Sequence, residues 1–147
     1  MNPILITIDV EECDIPLEYG MTIPLEEQLA ISREGLAHFM QIVEEAGVPV
    51  TIFCTGVYAE NNAEWIKELN PMHELASHGY YHGHFDASKD LVSSKKLLEK
   101  LSGKPVTGFR MARMQYVEES EILQAGYAYH SSLNPTWIPG RYDHRDK

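Results

Sequence analysis

The chain has 147 residues, of which 44% are hydrophobic and 23% charged, and these values are typical of one globular domain. Its formal net charge of -10 argues against a nucleic-acid partner and against an anionic membrane surface, because both need a basic protein surface. No apolar run approaches the ~20 residues that span a bilayer, and no basic segment precedes the first strand, so we expect a cytoplasmic protein with no membrane partner. The two cysteines, Cys13 and Cys54, are too few for a disulfide framework and are expected to be free thiols.

The first half of the chain predicts two strands and two helices. Residues 4–8 are apolar on both faces, which indicates a buried parallel strand. A long loop is expected over 13–25, and helical spacing of apolar residues predicts a helix over 25–46. A second strand over 48–54 and a helix over 59–69 follow.

The second half continues the alternation, with strands expected over 73–77, 106–110 and 127–132 and helices over 88–101 and 118–124. The sequence turns irregular from residue 134 onwards. Five strands that alternate with helices are typical of a parallel α/β arrangement. We therefore expect a single α/β domain over residues 1–147.

Polar side chains stand at the end of every predicted strand. In chain order they are Asp9, Glu11, Glu12, Thr55, His78, His82, His84, Arg110 and His130. In parallel α/β folds, functional groups gather just past the carboxyl ends of the strands. The shared placement predicts a functional site at this edge of the sheet.

Two carboxylates and two histidines form a candidate metal site. Asp9 and Glu11 are two residues apart on an extended segment and so point to the same side, whereas Glu12 points away. His78 and His82 are four residues apart, a spacing that places both imidazoles on one side of a helical turn. One carboxylate with two imidazoles is a common Zn²⁺ ligand set, and a second carboxylate can act as a base. The alternative interpretation is a pair of solvated loop acids and a surface histidine tract.

The other histidines are expected to have structural or solvent-facing positions. His73 precedes His78 in a pattern similar to the zinc-protease helix motif, but the spacing is one residue too long and the segment is a predicted strand. His38 lies in the middle of a predicted helix, and His144 lies in the irregular tail.

Three segments resemble, in order, the first three motifs of the NodB-type polysaccharide deacetylases: TIDVEE at 7–12, ASHGYYH at 76–82 and GFR at 108–110. The segments over 97–106 and 126–133 are also similar to that family. The resemblance implies a distorted (β/α) barrel and an enzyme that removes acetyl groups from saccharides with a divalent metal, most often zinc.

The resemblance also implies roles for individual residues. Asp9 matches the catalytic base, and Arg110 matches the arginine that orients it. His78 and His82 match the metal-binding histidines. The implied reaction is attack of a metal-activated water on the acetyl carbonyl, with the base taking the proton of that water.

The chain departs from the family pattern in its first and third motifs. The usual second aspartate is replaced by Val10, and in a branch of the family with an Asp-x-Glu motif the ligand role then passes to Glu11. A proline of the third motif is replaced by Ala112, and the neighbouring Arg113 is a candidate for a substrate or carboxylate contact. Tyr81 is a candidate for the saccharide site, although buried packing would also suit a tyrosine here.

A complete barrel of this type has roughly 250 residues. Five strands cannot close it, so we expect an incomplete, C-terminally shortened barrel that lacks the later family motifs, including the histidine that acts as general acid. His130 is a weaker candidate for that proton donor. The open edge of the sheet favours association with a second copy of the chain.

Three functions remain open from the sequence. The first is a metal-dependent deacetylase acting on N- or O-linked acetyl groups of a carbohydrate. The second is a cyclic-amide hydrolase of the same superfamily, and the third is a catalytically inactive remnant that binds a saccharide or a protein. The four predicted metal-site residues, Asp9, Glu11, His78 and His82, favour the first.

Overall fold

Five parallel strands form one open sheet in the computed structural model, which describes residues 4–133, 136–139, 142–143 and 145. In sheet order, which is also chain order, the strands are β1 (Thr7–Val10), β2 (Thr51–Cys54), β3 (Glu74–Ser77), β4 (Gly108–Phe109) and β5 (Tyr129–His130). Each strand is linked to the next by at least one helical segment, because a connection between parallel strands must cross from one end of the sheet to the other. The predicted α/β class is therefore confirmed.

Seven helical segments accompany the sheet within the described residues. They are α1 (Ile15–Glu18), α2 (Leu25–Glu45), α3 (Gly56–Asn61), α4 (Ala63–Glu68), α5 (Ala87–Ser102), a 3₁₀ turn (Ala112–Met114) and α6 (Glu119–Gln124). Capping residues mark both ends of α5. Helix α5 begins where the Asp86 side chain accepts a hydrogen bond from the Ser88 backbone nitrogen, and it ends at Gly103 with φ +67°. None of the helices is both long and apolar enough to cross a membrane, as far as the described residues go.

The core lies between one face of the sheet and the helices. From α2 it takes Leu29, Leu36, Met40 and Val43, and from α5 it takes Leu91 and Leu98. Ile52 and Cys54 point from β2 into this core, whereas Phe53 lies under the guanidinium group of Arg110 on the other face. The alternation along β2 thus separates a packing face from a polar face.

The strand register brings the carboxyl ends of all five strands into one row: Val10, Cys54, Ser77, Phe109 and His130. Backbone hydrogen bonds continue one residue further, from the nitrogens of Thr55, His78, Arg110 and Ser131 to the carbonyl of the neighbouring strand's last or paired residue. The polar residues that follow the strands therefore lie side by side at one edge of the sheet.

The first strand differs from its prediction. It covers residues 7–10 rather than 4–8, and only Val10 of these four residues is buried. Ile4 and Leu5, which precede the strand, are 89% and 86% exposed. The reason is its position, because β1 pairs only with β2 and is an edge strand. An apolar run cannot report which strands will lie beside it. Association of two copies through this edge stays a prediction.

Three further predictions need correction. The helix over 59–69 is two helices, α3 and α4, separated at Asn62, which has φ −134° and ψ 40°. The loop over 13–25 contains the short helix α1. The irregular tail contains a two-stranded antiparallel pair, β6 (Trp137–Ile138) and β7 (Tyr142–Asp143).

Candidate metal centre

Glu11, His78 and His82 converge on one point at the carboxyl edge of the sheet. Oε2 of Glu11 lies 3.0 Å from Nε2 of His78 and 3.2 Å from Nε2 of His82. Both histidines are buried, and the two rings stack with centroids 6.0 Å apart. One ligand atom from each of the three residues lies within 4.8 Å of the others, which makes a candidate metal site.

Hydrogen bonds at the far side of each ring determine which nitrogen faces the cluster. Nδ1 of His78 lies 2.9 Å from the backbone carbonyl of Arg110, and Nδ1 of His82 lies 2.7 Å from Oδ1 of Asp14. Carbonyl and carboxylate oxygens only accept hydrogen bonds, so each Nδ1 must carry the proton. With a single proton on Nδ1, each imidazole presents the lone pair of Nε2 to Glu11, and this is the tautomer that binds metals.

The donor set fits a divalent cation. Oε2 of Glu11 is buried and has no hydrogen-bond donor among the described residues. It faces two nitrogen lone pairs, so three acceptors repel one another unless a positive charge lies between them. Two imidazoles and one carboxylate are a ligand set that Zn²⁺ accepts while keeping a position open for water.

Asp9 stands beside the three ligands and is held by Arg110. Oδ1 of Asp9 accepts a 2.6 Å hydrogen bond from Arg110, and Oδ2 lies 3.9 Å from Nε2 of His78. The same guanidinium donates to the hydroxyls of Thr7 and Ser131 at 3.1 and 2.8 Å. It also stacks on the ring of Phe53, with 4.1 Å from Cζ to the centroid. These contacts fix one carboxylate oxygen and leave the other directed at the cluster.

Glu12 points away from the three ligands, as the extended backbone predicts. Its buried carboxylate accepts hydrogen bonds from the Thr55 hydroxyl at 2.8 Å and from the backbone nitrogen of His82 at 3.0 Å. Glu12 therefore anchors the loop that carries His82 rather than joining the cluster. No local pattern in the sequence predicts this role for the Glu12 carboxylate.

The histidine segment is a loop and not a helical turn, which corrects the spacing argument for His78 and His82. Gly79 has φ +83°, a conformation that favours glycine. The carbonyls of Gly79 and Tyr80 accept hydrogen bonds from the backbone nitrogens of Gly56 and Val57 at 3.0 and 2.9 Å. These bonds fasten the loop to the start of α3, so the two imidazoles meet through a turn of the loop.

The remaining candidates lie outside the cluster. Tyr81 is half-exposed and packs against Tyr80, with centroids 4.9 Å apart, and its saccharide contact stays a prediction. Arg113 binds the carboxylates of Asp14 and Glu18. The sequence predicted a contact of Arg113 with either a carboxylate or the substrate. The structure contains the carboxylate contact, and the substrate contact stays a prediction.

The other histidines are separate from the cluster within the described residues. His84 and His38 are exposed, and His73 is buried with Nδ1 accepting from the backbone nitrogen of Val50 at 3.2 Å. His130 faces Glu119 of α6, with 3.6 Å from Nε2 to Oε1, on the helix side of the sheet, which does not favour it as a proton donor at the cluster. His144 lies outside the described residues.

Asp14 is a member of the site that sequence reasoning missed. It precedes a proline-containing helical turn, so a local pattern assigns it to helix capping. Its side chain instead joins His82 to Arg113, two residues that are 68 and 99 positions away in the chain. The only sequence feature that indicates a role for Asp14 in the site is the concentration of acidic residues over 9–14. This feature does not predict which acidic side chain contacts which partner.

Both cysteines are free thiols, as expected. Burial raises the pKa of the Cys54 thiol well above its ordinary value, with the Glu12 carboxylate adding to the effect. The thiol therefore stays protonated, and Cys54 is part of the core rather than a nucleophile.

A comparison with protein families matches residues 27–130 to the family model described as polysaccharide deacetylase. A search of curated proteins finds no match. Among solved structures, a protein from Mycobacterium smegmatis with a provisional assignment as a polysaccharide deacetylase has a TM-score of 0.71 and 24% identity, covering 88% of this chain and 50% of its own.

Two other structures have the same fold. An allantoinase has a TM-score of 0.66 at 17% identity, covering 93% of this chain and 57% of its own. A pseudoenzyme of carbohydrate esterase family 4 from Bacillus anthracis has a TM-score of 0.58 at 15% identity, covering 86% of this chain and 41% of its own. The chain thus spans about half the length of these structures. Its five parallel strands form part of a distorted (β/α) barrel fold.

Proposed function

The chain belongs to the polysaccharide deacetylase family, and we propose that it removes acetyl groups from a saccharide with a divalent metal ion held by Glu11, His78 and His82. We propose Zn²⁺ because two imidazoles and one carboxylate suit it. The single observation that carries the proposal is the meeting of two Nε2 atoms with Oε2 of Glu11, a buried oxygen without a donor among the described residues.

The residues around the cluster divide the chemistry between them. A bound zinc ion would supply Lewis acidity toward the acetyl carbonyl and toward a water molecule. Oδ2 of Asp9 faces the cluster and can accept the proton of that water as general base. Arg110 holds Oδ1 of Asp9 at 2.6 Å, so the base keeps one orientation during the reaction.

Saccharide binding is proposed for the exposed rim of the histidine loop. The ring of Tyr81 is half-exposed beside Tyr80 and offers an apolar face with a hydroxyl group. Burial, with a hydrogen bond to Glu60, raises the pKa of Tyr80 to about 12, so this tyrosine stays neutral near pH 7. The aromatic faces of this pair suit the apolar face of a sugar ring.

The test is turnover of an acetylated chitooligosaccharide by the zinc-loaded chain, measured as acetate released. We expect Asp9→Asn to lower the rate by about 10²- to 10⁴-fold, because the amide cannot accept a proton. Asp86→Asn, a matched carboxylate-to-amide change at the start of α5, should leave the rate unchanged. Activity that survives Asp9→Asn would contradict the assigned base.

Parallel assays separate the alternative functions. Opening of a cyclic amide such as a hydantoin, without release of acetate, would replace deacetylation by the cyclic-amide hydrolase function. Saccharide binding without turnover of either substrate would favour the inactive binding protein. No zinc bound after purification, and none taken up on titration, would overturn the metal site.

A further inference from the structure

Asp14 has a side chain that does not serve the helix it precedes. It stands at the start of α1, where an aspartate normally caps the backbone, but it makes no capping hydrogen bond. The residue is only 6% exposed, so its carboxylate is removed from water and needs hydrogen-bond partners within the protein. Those partners are Nδ1 of His82, at 2.7 Å from Oδ1, and Arg113, at 2.9 Å from Oδ2.

The contact with His82 differs from the corresponding contact of His78. His78 donates to a neutral backbone carbonyl, that of Arg110, whereas His82 donates to a carboxylate. A charged acceptor forms the stronger hydrogen bond and makes the ring a better electron donor at Nε2. Because His82 lies on a loop, the hydrogen bond from its Nδ1 to Asp14 holds the orientation of its ring.

Arg113 is held in an uncommon backbone conformation that directs it to Asp14. Its φ is +57°, and that of Met114 is +53°, although neither residue is glycine. Its guanidinium contacts both Asp14 and Glu18, at the two ends of α1. A left-handed residue that is not glycine is retained when its surroundings require it, and here the surroundings are two carboxylates.

The backbone next to His82 makes room for the carboxylate. A Cβ atom on Gly83 would lie 3.0 Å from Oδ2 of Asp14, closer than ordinary packing allows. The φ of Gly83 is not in the left-handed region, so the constraint there is the close approach of Asp14 alone.

We propose that Asp14 is a positioning residue that fixes the ring and tautomer of His82 for metal binding, and that Arg113 holds Asp14 in this place. The inference rests on the proposed function, because His82 needs this orientation only if its Nε2 binds the metal ion. Asp14 touches neither the metal nor the substrate and acts through His82.

The test is the zinc dissociation constant of the full chain, measured by competition with a chromogenic chelator. We expect Asp14→Ala to weaken zinc binding by about 10- to 100-fold. Asp14→Asn should weaken it less, since its amide oxygen can still accept from Nδ1 of His82. The control is Asp86→Ala, which removes an exposed capping carboxylate and should leave the zinc dissociation constant unchanged.

Two further measurements separate positioning from general stability. The visible spectrum of the Co²⁺-loaded chain reports ligand geometry, and we expect it to change in Asp14→Ala but not in Asp86→Ala. Arg113→Met should weaken zinc binding in the chain that retains Asp14. In the Asp14→Ala chain it should cause no further weakening, because both changes remove the same link between Arg113 and His82.

The outcomes distinguish this inference from the proposed function. If the wild-type chain binds no zinc, the metal site fails and the inference fails with it. If the wild type binds zinc and the folded Asp14→Ala and Asp14→Asn variants bind it equally well with unchanged Co²⁺ spectra, the inference alone is overturned. Gly83→Ala gives an independent check, since weaker zinc binding is expected when Asp14 is displaced.

Discussion

Nδ1 of His78 lies 2.9 Å from the backbone carbonyl of Arg110, while the guanidinium of the same arginine holds Asp9 at 2.6 Å. One residue thus orients a metal-binding imidazole with its main chain and the proposed base with its side chain. The two functions use different atoms, so a substitution can separate them.

Arg110→Gln should lower deacetylation without loss of zinc binding. The backbone carbonyl that orients His78 remains, whereas Asp9 loses its main donor, so we expect kcat/KM to fall by about 10²-fold through misplacement of the base. Acetate release and the zinc dissociation constant are the two measurements. Ser131→Ala, which removes only one acceptor of the guanidinium, should have a smaller effect. Loss of zinc by a folded Arg110→Gln variant would contradict this separation.

Zinc should stabilise the folded chain, because the unfolded chain has no assembled ligand set. At a free zinc concentration of 100 times the dissociation constant, the free energy of unfolding should rise by about 2.7 kcal/mol. Thermal melting with zinc and with a chelator measures the difference. His82→Ala should abolish it, whereas His84→Ala, at an exposed histidine two positions further, should retain it. Equal losses in both variants would contradict the assigned ligand set.

The grouping of Asp9, Glu11, His78, His82 and Arg110 could be predicted because it depends on a regular property of parallel sheets. Strands of this type align their carboxyl ends, and the observed register places the last residues of all five strands in one row. A strand-end position read from the sequence is therefore enough to place these residues at one edge of the sheet.

The surroundings of these residues could not be predicted, because they depend on contacts between distant segments. Asp14 lies 99 positions from Arg113 in the chain, and only the folded chain shows that they meet. The exposure of most of β1 follows from its position at the edge of the sheet, which the apolar run over residues 4–8 does not reveal. Local patterns describe segments, whereas these features belong to pairs of segments.

Two glycine substitutions should have opposite effects on stability. A Cβ on Gly56 would lie 2.9 Å from the ring of Tyr80, so Gly56→Ala forces the tyrosine to move and should cost about 1–3 kcal/mol. Gly35 is inside α2 with no atom within 4 Å of an added Cβ, so Gly35→Ala should stabilise the chain by about 0.5–1 kcal/mol. Urea unfolding measures both.

The position of Tyr80 adds a second readout to the glycine pair. Tyr80 lies in the loop between His78 and His82, so its displacement in Gly56→Ala should also weaken zinc binding, while Gly35→Ala should leave it unchanged. Stabilisation by Gly56→Ala would contradict the close packing of this loop against α3.

Asp86 should make a pH-dependent contribution to stability through the start of α5. Hydrogen bonds from Lys89 and Ser88 lower the pKa of its carboxyl from 3.8 to about 2. A pKa that is lower in the folded chain means that the contribution is complete above pH 3.8 and is lost as the pH falls toward 2. The melting temperatures of wild type and Asp86→Ala should therefore differ most near neutral pH and converge in acid.

Lys89→Gln provides the matched control for Asp86, since it removes the largest cause of the lowered pKa while keeping a polar side chain. In this variant the carboxyl should titrate closer to its ordinary pKa, so the contribution of the cap should be lost at a higher pH. Titration of the Asp86 carboxyl carbon by NMR reports the shift directly. A melting difference between wild type and Asp86→Ala that persists undiminished at pH 2 would show that the cap acts without its charge.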